Sequence, residues 1–235
     1  MFLDPMYFIF IGPGILLMLW AQSRVKGTYH KWSNVANARR VTGAQAARMV
    51  LDANGLHDVA VEAVPGELSD HYDPRQRILR LSQGVYGVPS VAAMAIAAHE
   101  AGHAIQHARG YSWLQLRTNL VPLVNIGSNL GFIVLIAGII LQITGLAWVG
   151  VVLFGLSTLF ALITLPVEFD ASNRARAALV TVGLADGGVA GGEESRGVKS
   201  VLDAAAWTYI AGFATSLLTL LYYVMAVSGM SRRSE

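Results

Sequence analysis

The stretch TNLVPLVNIGSNLGFIVLIAGIILQITGLAWVGVVLFGLSTLFALITLPV, residues 118–167, contains no Asp, Glu, Lys or Arg. Its 50 residues are more than twice the roughly 20 apolar residues that one α-helix needs to cross a bilayer. Two membrane helices are therefore expected, spanning 122–143 and 146–167 and turning at Thr144-Gly145. Such a hairpin returns the chain to the side it left. Whatever precedes Arg117 can then meet whatever begins at Glu168.

Two further apolar runs lie outside the hairpin. Residues 6–21 form a short first span interrupted by Gly12-Pro13-Gly14, and the uncharged run from Ala204 to Ser231 contains a span over 206–228. Trp207, Tyr209, Tyr222 and Tyr223 sit towards the ends of that run, where aromatic side chains anchor at the membrane–water interface. Arg24, Lys26 and Lys31 follow the first span and only Asp4 precedes it, the reverse of a cleavable signal peptide, so a retained anchor is expected. With 54% hydrophobic and 14% charged residues, the composition departs from the quarter-charged make-up of soluble domains. The expected fold is mainly α and integral to the membrane, with about four transmembrane helices and a small α+β part.

Four spans leave two loops on one side, 22–120 and 168–205, and these carry 15 of the 17 Lys and Arg residues. The positive-inside rule assigns both to the cytoplasm of a multi-pass protein of the inner or plasma membrane. A net charge of +2 without a basic, aromatic-interleaved stripe excludes nucleic acid as a partner. There is no cysteine, which excludes disulfides, thiolate metal sites and a cysteine nucleophile.

Within the first loop, Thr42-Gly43-Ala44-Gln45 is a capping box opening an amphipathic helix that stops at Gly55. Val59–Val64 alternates apolar and polar residues, and residues 77–82 follow the turn-forming Asp73-Pro74, so a small hairpin or sheet is expected. One of its edges can pair with an extended peptide. Ser90 then caps an alanine-rich helix over 90–109, closed by Gly110.

That helix contains His99-Glu100-Ala101-Gly102-His103. Residues four apart share a helix face, so both imidazoles can reach one ion with Glu100 beside them. A catalytic zinc site needs a third protein ligand and leaves the fourth position to water. His107 continues the spacing but lies about 12 Å along the axis from His99, too far for one ion with bonds of about 2 Å. Glu168, the first charge after the hairpin, is the better candidate. Asp170 is the alternative; it is displaced by about 200° around a helix, so the two cannot point at one ion.

At these residues the chain resembles the bacterial membrane neutral zinc metallopeptidases, and more distantly the HtpX-like and CAAX prenyl proteases. The resemblance rests on Leu68–Pro74, Leu79–Ser82, Ala97–His107 and Leu165–Ser172, and spans nearly the whole chain. It implies a zincin-like domain, a Zn2+ cofactor held by His99, His103 and Glu168, and peptide or protein substrates, membrane proteins among them. It also implies that Glu100 takes a proton from a zinc-acidified water and returns it to the leaving amine. The more distant relatives carry Asp four residues after the ligand Glu, whereas this chain has Ser172. Tyr209 and His71 are candidate oxyanion donors, and the Gly-rich Asp186–Gly192 segment is a candidate cover over the site. The competing expectation is a non-enzymatic membrane scaffold with a closed or vestigial metal site, completed by Asp170 or His71.

Overall fold

In a computed structural model, residues 5–185 and 192–231 are described. The Gly-rich cover segment, apart from Gly192, and the C-terminal Arg232 and Arg233 lie outside the described residues. Among the described residues, four helices are long and apolar enough to cross a membrane: α1 (Pro5–Ser33), α5 (Ser112–Ile140), α6 (Thr144–Thr181) and α7 (Glu193–Ser231). Between α1 and α5 come α2 (Gly43–Ala53), β1 (Ala60–Val64), β2 (His71–Asp73), β3 (Ile78–Ser82), α3 (Gln83–Tyr86) and α4 (Val91–Ala108).

The chain divides into two compact units. One comprises residues up to Gln22, Gln115–Pro166 and the chain from Thr208 onward; the other comprises Ser23–Leu114 and Val167–Trp207. In the first, α5 and α6 approach through glycines. A Cβ on Gly138 would come within 2.3 Å of the Ala147 nitrogen, and one on Gly150 within 2.3 Å of the Leu135 nitrogen. Without a strong hydrophobic drive between apolar helices, such close backbone packing is how they associate.

The expected turn at Thr144-Gly145 sits three residues earlier. The Ile143 N–H donates to the Gly138 carbonyl and the Gln142 N–H to that of Ile139, while Gln142 adopts φ +57°. These are the two hydrogen bonds of a Schellman stop. The same pair closes α2 at Gly55, α4 at Gly110 and α6 at Gly183, all with positive φ. Of these four stops, only that at Gln142 puts a side chain in the left-handed position, where no glycine marks it in the sequence.

The second unit is built around α4. Ser90 caps it, its Oγ accepting the Ala93 N–H at 3.1 Å, and thirteen of its residues are buried. The capping box of α2 forms as expected between Thr42 and Gln45. The sheet, however, is not a hairpin of its two longer strands. β1 and β3 run parallel, and the short β2, absent from the sequence reading, pairs antiparallel with β3 on the other side. The β2–β3 turn is fixed by the Asp73 carboxylate, which accepts the Arg75 and Gln76 N–H groups. β1 and β2 are the sheet edges, and β2 and β3 pack on α4.

Candidate metal centre

The small side chains of α4 decide how closely α6 can approach it. Ala101, Ala104 and Ala175 are buried in one core, Ala171 is fully buried, and a Cβ on Gly102 would stand 2.6 Å from the Ala171 carbonyl oxygen. Gly102 lies inside the motif, between Glu100 and His103; Ala171 lies one helical turn beyond Glu168. The missing side chain therefore brings the Glu168 carboxylate onto the face that carries the two histidines.

His99 and His103 stand edge to face, with ring centroids 4.8 Å apart. Glu168 Oε2 lies 3.2 Å from His99 Nε2 and 3.5 Å from His103 Nε2. Around a tetrahedral ion with bonds of about 2.0–2.1 Å, neighbouring ligand atoms are separated by about 3.3–3.4 Å. The two histidine–carboxylate separations bracket that value, and the three donor atoms all lie within 4.8 Å of one another. Glu168 is only 2% exposed and His99 9%. Burial pushes the Glu168 carboxyl up, but hydrogen bonds from His103 and His99 outweigh it and hold the acid well below the usual carboxylate range. For His103, burial lowers the pKa, and the Glu168 hydrogen bond and charge more than reverse this. A buried carboxylate between two imidazoles is a site that favours positive charge.

Each histidine has a second partner on its far nitrogen. Gln106 is fully buried, and its Nε2 donates to the Val167 carbonyl and to Asp170 Oδ2, both at 2.8 Å. Those groups can only accept, so the amide oxygen must be the atom 3.0 Å from His103 Nδ1. His103 Nδ1 must then carry a proton, so Nε2, the nitrogen that faces Glu168, is the one available to a metal. Ser172 Oγ lies 3.2 Å from His99 Nδ1. Ser172, at the position where the resemblance to the more distant proteases implies an aspartate, thus stands against His99 as a neutral partner. The sequence reading missed Gln106 as a partner; its only local signal is a Gln one helical turn after His103 in an apolar run.

Asp170, His107 and His71 do not join the group of converging donors. Asp170 is engaged by Gln106 and by Arg174, whose guanidinium also lies over the Tyr111 ring. His107 is exposed and bonds the Tyr72 hydroxyl at 2.9 Å. His71 sits exposed on β2 with Nδ1 against the Ser69 carbonyl, and Tyr209 is on α7. Glu100 is half-buried, and its carboxylate has no hydrogen-bond or ion-pair partner among the described residues. Among those residues, His99, His103 and Glu168 form the one group whose donor atoms converge, all within 4.8 Å.

Residues 7–228 match the model of a family described as "Putative neutral zinc metallopeptidase". The chain belongs to this family. It is also 45% identical over 221 residues to a Bacillus subtilis (strain 168) protein named "Putative membrane protease YugP", across 94% of this chain and 96% of that one. No solved structure matches the chain. For a neutral zinc metallopeptidase, the His–His–carboxylate donor set and its spacing fit Zn2+. No fourth His, Asp or Glu joins the cluster among the described residues.

Proposed function

We propose that this member of the family is a membrane-embedded zinc endopeptidase whose site faces the cytoplasm at the membrane surface. The observation that carries the reading is the convergence of His99, His103 and Glu168, with Glu100 on the same helix as the two histidines and its carboxylate without a hydrogen-bond or ion-pair partner among the described residues. Zinc in this site would acidify a water and polarise a peptide carbonyl. The residues supply the rest. Gln106 and Ser172 hold the two imidazoles in orientation, and Glu168 contributes the negative charge that lowers the ion's net charge. Glu100, with no hydrogen-bond or ion-pair partner among the described residues, would accept the water's proton and pass it to the departing amine.

The sheet supports an extended substrate. β2 is an edge strand packed on α4, so its outer backbone groups are open to a further strand. The cytoplasmic assignment rests on Arg24, Lys26, Arg109, Arg117, Arg174 and Arg176 lying close to the apolar spans. Peptides and membrane proteins with exposed extended segments are the expected substrates. Glu100→Gln tests the chemistry: casein cleavage by the purified protein should be lost while zinc remains bound. Undiminished cleavage would remove Glu100 from the mechanism. Labelling of single cysteines placed in 22–120, from either side of sealed membranes, tests the orientation.

A further inference from the structure

Beyond the peptidase site, we propose that α5 pairs with α5 of a second copy of this chain through a polar seam whose Asn125 and Asn129 amides lie inside the bilayer. The inference rests on the membrane reading of α5 but not on the zinc chemistry. Gln115, Thr118, Pro122, Asn125 and Asn129 follow one another at alternating intervals of three and four residues, and all are exposed. At 100° per residue they fall within an arc of about 80°, the narrow stripe through which helices pack as a left-handed coiled coil.

The opposite side of α5 is already used. Gly127, Gly131 and Gly138 lie about 180° round the helix from the seam. They meet α6, where a Cβ on Gly131 would stand 2.7 Å from that of Leu153. The amides therefore point away from the hairpin partner. The Asn129 amide reaches only the Asn125 backbone carbonyl, at 3.2 Å, and the Asn125 side chain has no hydrogen-bond partner among the described residues. Asn129 lies about 10 Å along the axis beyond Pro122, inside an uncharged run. Hydrocarbon offers such groups no partner.

The chemistry selects the occupant. A carboxamide both donates and accepts, so it is complementary to a copy of itself across a two-fold axis. From Thr118 to Val167 there is no charge to which an ionic partner could pair. Asn at core seam positions is also the residue that fixes register and favours dimers.

Because the chain has no cysteine, single-cysteine variants can be oxidised in native membranes without background. Thr118→Cys, Asn125→Cys and Asn129→Cys should each give a disulfide-linked dimer. Leu123→Cys and Leu130→Cys should not, although these positions are 51% and 48% exposed, because they lie off the seam. In the Thr118→Cys background, replacing Asn125 and Asn129 together by Leu should lower the cross-linked fraction about fivefold, the loss of two interhelical amide pairs. Equal cross-linking on and off the seam, no dimer at any seam position, products with a different protein only, or no effect of the double Leu change would each overturn the proposal. Recovery of the protein outside the membrane fraction would overturn the membrane reading as well.

Discussion

Replacing Gln106 by Met keeps the volume and removes every hydrogen bond the amide makes. Once a metal takes the Nε2 lone pair, the His103 proton must sit on Nδ1, and in Gln106→Met that buried N–H has no acceptor. Without metal the ring is free to exchange tautomers against Glu168, which lies 3.5 Å from Nε2. The penalty therefore falls on the metal-bound state. An unsatisfied buried donor costs about 1–3 kcal/mol, or roughly 5- to 150-fold in affinity at 1.4 kcal/mol per tenfold. Loss of a metal ligand's supporting partner typically weakens binding by 10- to 100-fold, the same range. The assay is zinc competition against a fluorescent chelator in detergent, with thermal unfolding to verify the fold. Ser172→Ala should lose less, since a hydroxyl 3.2 Å from His99 Nδ1 leaves that tautomer less strictly fixed. A Gln106→Met protein that unfolds normally and binds zinc within about twofold of the parent would refute the reasoning.

Other outcomes follow from neighbouring features. Ser172→Asp should tighten zinc binding by about tenfold, because a carboxylate on His99 Nδ1 raises the ligand's basicity; a chelator titration reads it. Gly102→Ala forces a methyl group against the Ala171 carbonyl and should cost about 1–3 kcal/mol of stability, with reduced zinc content measured alongside. Gln142→Gly should stabilise the α5–α6 turn by about 1 kcal/mol by relieving the left-handed side chain, seen as a shifted unfolding midpoint. Burial raises the Asp70 carboxyl, only partly offset by hydrogen bonds from Ser82. Its folded pKa exceeds the unfolded value of about 3.9, so its contribution to stability is present at lower pH and is lost as the pH rises through the folded value. Asp70→Asn should flatten that fall in a pH series of thermal unfolding. Asp73 moves the other way, held down chiefly by the Gln76 N–H, so its contribution is present above the unfolded pKa and lost on acidification.

The α4 helix was legible because its signals are local. Ser90 before an alanine run and Gly110 after it mark the ends within a residue of those observed. The meeting of His99 and His103 with Glu168 followed from topology, since an uncharged hairpin has to bring its two flanks back together. What escaped is non-local or lacks a distinctive residue. The three-residue β2 carries too little pattern, and the parallel pairing of β1 with β3 depends on partners rather than on either strand's sequence. The hairpin turn was misplaced because Gly145 offered a glycine where the chain uses Gln142. Gln106 looked like one more polar residue on an apolar helix. Its role emerges only when Val167 and Asp170, more than sixty residues later, are seen to take both of its N–H groups.

Zinc content of the detergent-purified parent, compared with Glu168→Ala, Asp170→Ala and His107→Ala and paired with a casein assay, addresses the metal centre itself. Near-stoichiometric zinc in the parent, lost with cleavage in Glu168→Ala and kept in His107→Ala, is the expected result. Asp170→Ala should keep its zinc with somewhat weaker affinity, through Gln106. A parent without zinc, or a Glu168→Ala protein that retains it, would contradict the ligand set and with it the peptidase reading.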